Sequence, residues 1–136
     1  MYLVDTNVIS EARKGKKANS GVLEFWRHAD AANIYLAVQT IGELRCGVES
    51  IRQRGDLAQA SLLERWLMLV VTQYADHILT FDTDCAQVWG KLMSPHPQHP
   101  IDKQIAAIAL IHDLTVVTRN IDDFRGLGVR LKNAFC

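Results

Sequence analysis

An apolar run that ends on an acid, Tyr2-Leu3-Val4-Asp5-Thr6-Asn7, predicts a carboxylate at the C-terminal end of a strand with a helix start directly behind it. In parallel α/β sheets, ligands bind in the crevice outside those strand ends. Glu43 and Asp102 stand at comparable places, each opening a segment that reads as a helix. Three carboxylates brought together repel one another, and either protonation or a divalent cation must relieve the repulsion. The cation is the favoured relief, and with it comes phosphodiester chemistry. Helix N-termini at the same edge add partial positive charge and free N–H groups that suit phosphate oxygens.

Each acid taken alone has a purely structural reading. Asp5 can cap the helix that follows it. Thr40-Ile41-Gly42-Glu43 fits a capping box, with Glu43 reaching back to the Thr40 backbone N–H. Asp102 can be a first-turn acid favoured by the helix dipole. Three independent caps have no reason to meet at one sheet edge, and that coincidence favours a shared site. A further cluster, Thr118-Arg119-Asn120-Ile121-Asp122-Asp123-Phe124, follows the last clear strand. Asn120 can hydrogen-bond or offer its carbonyl oxygen to a metal, whereas Asp122 and Asp123 read as solvated turn residues. Arg119 either holds a phosphate or pairs with one of these acids. His96 and His99 have ligand-like spacing but lie in a proline-rich loop with no third ligand nearby, and they read as coincidental. Gly90-Lys91 lacks the preceding glycine of a P-loop, and neither G-x-G-x-x-G nor G-x-S-x-G occurs.

The elements that must position these groups alternate between strand-like and helix-like segments, as in an α/β domain with a mainly parallel sheet. Strands are expected at residues 2–4, 34–38, 78–81 and 114–118, with a short fifth at 129–131. Helices are expected over 7–13, from Asn19 or Ser20 onward, from Thr40 to about Arg52, from Asp56 onward, from Asp82 or Thr83 to about Met93, and over 102–112. The clearest period belongs to Leu63, Trp66, Leu67, Val70, Val71 and Tyr74, which form one apolar helix face. Residues 102–112 are apolar almost all round and should be buried against the sheet. Three prolines within 94–100 exclude a helix there.

The 136 residues suit one domain with a single substantial core, and the 49% hydrophobic and 22% charged content fits a globular chain. A formal net charge of zero offers no support for a nucleic-acid partner, yet a local basic patch and a cation can serve a small footprint. Near-neutral charge with much apolar surface points to an oligomer or an obligate partner. Cys46, Cys85 and Cys136 form no C-x-x-C pair, which argues against a disulfide framework or structural zinc. The absence of a leader-like or membrane-length apolar run leads to a cytoplasmic expectation with no membrane contact.

Four pieces in order resemble the PIN-domain ribonucleases, specifically the VapC/FitB-like toxins of type II toxin–antitoxin pairs. They are Leu3-Val4-Asp5-Thr6-Asn7-Val8-Ile9-Ser10, Thr40-Ile41-Gly42-Glu43-Leu44-Arg45-Cys46-Gly47, Asp102-Lys103-Gln104-Ile105-Ala106-Ala107-Ile108-Ala109 and Val117-Thr118-Arg119-Asn120-Ile121-Asp122-Asp123-Phe124. The resemblance implies a single PIN-like domain over 1–136, a three-layer α/β/α sandwich around a mainly parallel sheet. It also implies a homodimer in the cytoplasm, an RNA substrate, a cognate antitoxin, and Mg²⁺ or Mn²⁺ as cofactor. Asp5 and Asp102 carry over as principal metal ligands, Glu43 as the third acid, and Thr6, Asn7 and Thr118 as polar groups holding them. Asn120 stands where FitB-like relatives often have an acid. Asp123 fits the version with Asn there and an acid three residues on, so the fourth ligand is open among Asn120, Asp122 and Asp123. The implied reaction is metal-dependent endonucleolytic hydrolysis by water, leaving 5′-phosphate and 3′-hydroxyl ends. Two alternatives compete: a catalytically inert PIN-like module that binds RNA or protein, and a phosphotransfer domain with Asp5 as nucleophile. Asn7 counts against the latter, because such enzymes place a second acid there.

Overall fold

The computed structural model describes residues 1–136. Five strands form one sheet in the order β3-β2-β1-β4-β5: β1 (Tyr2–Val4), β2 (Ile34–Ala37), β3 (Ile78–Leu79), β4 (Thr115–Val117) and β5 (Leu131–Lys132). Every pairing is parallel, with Tyr2 opposite both Ile34 and Thr115, and Val4 opposite Val117. From the central β1 the chain winds outward through β2 and β3, then returns to the other side for β4 and β5. The winding direction reverses between β1 and β4, and a crevice opens at the strand ends there.

Seven helices cover both faces: α1 (Thr6–Ala12), α2 (Ser20–His28), α3 (Val38–Gln53), α4 (Leu57–Gln73), α5 (Thr83–Met93), α6 (Pro100–His112) and α7 (Ile121–Phe124). Neighbouring strand residues point to opposite faces and divide the core in two. Val4 and Val117 pack with Val8, Phe25, Leu44 and Leu67 under α1–α4. Leu3 and Val116 pack with Cys85, Ile105, Ile108 and Phe124 under α5–α7. This is the expected α/β/α sandwich, with a sheet that is parallel throughout.

Local chemistry sets the helix starts. Asn19 accepts from the Gly21 and Val22 N–H groups (2.9 and 3.4 Å), Asp56 from Gln59 (3.1 Å), and Asp82 from Cys85 (2.9 Å). Each shields helix N–H groups that lack an intrahelical partner. Along α4, Leu67 and Val70 of the predicted face are buried, and Leu63, Trp66, Val71 and Tyr74 pack against the same core. In α6 the run Ile105–Ala109 is buried on every side, as its composition predicts. No helix is long and apolar enough to cross a membrane.

Several boundaries differ from the expected ones. The strand expected at 78–81 stops at Leu79, because Asp82 is committed to capping α5. The fifth strand lies at Leu131–Lys132 rather than 129–131. Helix α3 begins at Val38, not Thr40, and takes the last residue expected in β2. Asp122 and Asp123 belong to the short helix α7 instead of an open turn.

Candidate active site

Asp5 closes β1 and extends its ladder, donating its N–H to the Val117 carbonyl at 2.9 Å. Only 4% of the residue is exposed, and its carboxylate is tied down on both oxygens. Oδ1 accepts from the Thr6 N–H at 2.8 Å, so Asp5 is a helix cap as well as a member of the site. Oδ2 accepts from the buried Thr118 hydroxyl at 2.8 Å and the Asn7 amide at 3.3 Å. Asn7 also accepts from the Arg119 N–H at 3.0 Å, while Thr118 accepts from the Asn120 N–H at 3.0 Å. Thr6, Asn7 and Thr118 thus stitch the ends of β1 and β4 together around one carboxylate, across the switch point.

Glu43 reaches the same place from α3. Its Oε1 accepts from the Thr6 hydroxyl at 2.7 Å, and the Thr40 hydroxyl lies 3.3 Å from that hydroxyl. The capping box does not form. With the helix starting at Val38, Thr40 is fully buried in the first turn and Glu43 falls in the second. The acid is thereby free to face Thr6.

Asp102 lies in the first turn of α6, and burial of the residues behind it leaves it little room to retreat. The adjoining Lys103 is also buried and donates its ammonium to the His96 carbonyl. Asp123 faces the site from α7, and the His99 ring Nε2 stands 3.6 Å from its Oδ1. His99, Asp102 and Asp123 offer one ligand atom each within 4.8 Å of one another. Asp122 turns to solvent and pairs with Arg125 at 2.7 Å. Asn120 holds the N-terminal position of α7 through its backbone, and its side chain makes no capping bond. Among the candidates for a fourth acidic position, the geometry therefore favours Asp123.

Electrostatics reports the convergence directly. Burial, followed by the charges of Asp5, Asp123 and Glu43, pushes the Asp102 carboxyl up to about 6. Burial also raises Asp5, opposed by the hydrogen bonds from Thr118, Thr6 and Asn7, with the charge of Asp123 adding to the rise. Both shifts come first from burial, with the neighbouring acids adding to them. Hard carboxylate oxygens crowded in this way form a donor set suited to a small divalent cation.

His99 is the residue that sequence reasoning set aside. The neighbours absent from its own loop are Asp102, three residues on, and Asp123, which arrives through the fold. The His99-x-x-Asp102 spacing across a proline-initiated helix was the available signal. His96 contributes only its backbone, to Lys103. Beside the acids opens a cavity of about 400 Å³ lined by Lys91, His96, His99, Lys103, Asp123 and Arg125 among others.

Comparison with known proteins agrees with this architecture. The PIN domain family model matches residues 2–129. Toxin FitB of Neisseria gonorrhoeae is 33% identical over 138 residues, covering 98% of this chain and 97% of that protein. VapC ribonuclease Y4jK of Sinorhizobium fredii is 29% identical over 140 residues, covering 98% and 96%. The crystal structure of FitAcB from Neisseria gonorrhoeae superposes with a TM-score of 0.87 at 31% identity, covering 98% of each chain. A carboxylate-lined crevice at the switch point of a parallel sheet and likeness along nearly the whole length lead to one assignment: the chain belongs to the PIN-domain family, among toxins of the VapC/FitB type.

Proposed function

We propose that this chain, acting as one PIN-like unit over residues 1–136, is an endoribonuclease that hydrolyses RNA phosphodiester bonds with Mg²⁺ or Mn²⁺ as cofactor. It serves as the toxin of a toxin–antitoxin pair in the cytoplasm. The observation that carries this reading is the gathering of acids at the strand ends: Thr6 bonds both Asp5 and Glu43, and Asp102 and Asp123 present ligand atoms within 4.8 Å of each other. The ribonuclease named among its relatives supports the choice of RNA.

Asp5, Asp102 and Glu43 would hold the cation, with Asp123 as a fourth ligand. A divalent ion bound there supplies Lewis acidity and a water acidified toward neutral pH. The chain's own part is positional. Thr118, Asn7 and the Thr6 N–H fix the Asp5 carboxylate, so that no reorganisation is needed when charge is brought to it. The Thr6 hydroxyl orients Glu43. Asp102, which keeps its proton up to about pH 6, must release it for the site to take a cation.

The test is direct. With Mg²⁺ or Mn²⁺, the purified protein should cut single-stranded RNA and leave 5′-phosphate and 3′-hydroxyl ends. Asp5→Asn and Asp102→Asn should each abolish cutting. Undiminished activity in both variants would reject the assignment, and 2′,3′-cyclic phosphate ends would reject water as the nucleophile.

Two partner readings complete the proposal. A cavity of about 200 Å³ runs from Thr6 and Glu43 past Gly47 and Val48 to Leu63 and Trp66, between α1, α3 and α4. It suits an antitoxin segment whose guanidinium reaches the acids and replaces the cation's charge. The co-encoded small protein should inhibit cleavage, and Trp66→Ala should weaken that inhibition. The exposed Val38 and Ile101 flank the Gln39–Gln104 hydrogen bond that joins α3 to α6 (3.2 Å). This apolar rim suits a second copy of the chain, and sedimentation should detect a homodimer.

A further inference from the structure

We infer that His99 is a direct nitrogen ligand in this chain's cation site, joining Asp102 and Asp123, and that it biases the site toward Mn²⁺ over Mg²⁺. The inference rests on the reading of the acidic crevice as a cation site and adds a donor of a different chemical kind to it.

Reach comes first. Ligand atoms of the three residues lie within 4.8 Å of one another. Two ligands on opposite sides of one ion stand apart by twice the bond length, about 4–5 Å for bonds of roughly 2.0–2.5 Å. All three side chains can therefore share an ion without backbone movement. A simple ion pair is the competing account of His99 and Asp123. At 3.6 Å, however, Nε2 is beyond good hydrogen-bonding distance, so the ring faces the carboxylate without being spent on it.

The backbone that carries the ring is held in place. His99 adopts a left-handed backbone (φ 54, ψ 57) immediately before Pro100 and the first turn of α6. Its carbonyl accepts from the Lys103 N–H at 3.0 Å, and the buried Lys103 ammonium anchors the same loop through the His96 carbonyl. Trp89 donates its indole N–H to the Pro100 carbonyl at 3.1 Å, fixing the other side of the turn.

Selectivity follows from ligand type. Mg²⁺ dehydrates reluctantly and takes oxygen donors. Mn²⁺ also suits oxygen but, as the first of the transition-metal series, accepts an imidazole nitrogen more readily than Mg²⁺ does. A site of carboxylates alone accepts either ion, and adding one imidazole tilts the balance toward Mn²⁺.

The experiment uses the purified full chain with Mn²⁺ alone or Mg²⁺ alone and compares it with His99→Asn, since asparagine tolerates the left-handed backbone. Pulsed electron paramagnetic resonance of bound Mn²⁺ should show a directly coordinated nitrogen that changes on ¹⁵N-histidine labelling and disappears in H99N. Calorimetry should show Mn²⁺ affinity falling about tenfold in H99N, near the lower end of what disturbed metal coordination costs. Mg²⁺ affinity should change less than twofold. Bound Mn²⁺ without a histidine nitrogen signal would overturn the inference, as would equal loss of both ions in H99N. In either case, cation-dependent cleavage that is lost in D5N leaves the ribonuclease reading intact. Cleavage that persists in D5N and D102N rejects that reading instead, whatever the resonance shows.

Discussion

At the scale of the residue, the site is a compromise between charge and burial. Asp102 holds its proton up to about 6, above the ordinary value of 3.8, so between those pH values the folded chain binds more protons than the unfolded one. In chelator-treated protein this contribution to stability is present below about pH 4 and is lost as pH rises through 6. Asp102→Asn removes the titrating group. Urea unfolding should show the variant more stable than wild type above pH 6, with the difference shrinking toward pH 4. A gap that widens toward low pH would contradict the assignment. Thr118 poses the opposite case. Its buried hydroxyl serves Asp5 and the Asn120 N–H together. Thr118→Val keeps the shape but leaves the buried Asp5 Oδ2 with the long Asn7 bond alone, at a cost of about 1–3 kcal/mol for an under-satisfied buried group. The same urea titration should register that cost, and cleavage should fall with it.

At the scale of the element, glycines show where helices are free and where they are crowded. Gly90 sits in α5 with open space where a side chain would go, so Gly90→Ala should stabilise by about 0.5–1 kcal/mol. Gly21 in α2 is the reverse, because a Cβ there would stand 2.2 Å from the Ala134 carbonyl. The stretch 134–136 lies directly against that helix, and Gly21→Ala should destabilise by about 1–3 kcal/mol through overpacking. Thermal melts of the two variants should move in opposite directions. The same contrast explains what the sequence disclosed. Apolar periodicity and caps such as Asn19, Asp56 and Asp82 made the long helices legible, since their signals are local. The two-residue strands β3 and β5 owe their limits to partners distant in the chain. Helix α7 is four residues long, too short for any period to appear. Thr40 misled because its pairing with Glu43 copies a capping box, whereas the helix starts two residues earlier and buries Thr40 under Thr6. His99 was missed for the converse reason: its spacing to Asp102 is local and readable, but its other neighbour, Asp123, comes from α7, and no spacing announces a contact made by tertiary folding.

At the scale of the whole molecule, a formal net charge of zero conceals local clustering. Acids gather at the switch point while Lys91, Lys103 and Arg125 line the adjoining cavity. A cation that binds only the folded form stabilises it by mass action, about 2.7 kcal/mol at a hundredfold excess over Kd. Mn²⁺ should raise the melting temperature of the wild-type chain and leave D5N almost unmoved; an equal rise in both would place the ion elsewhere. The packing of α6 gives this a wider meaning. Because the helix is buried on every side from Ile105 to Ala109, its first turn keeps Asp102 beside the other acids, and their mutual repulsion is carried by the fold itself. Whatever brings positive charge into that corner, including an inhibitor's guanidinium, then acts as a brace. The protein is therefore sturdiest when that corner holds positive charge, from either source, and most fragile when it is stripped bare.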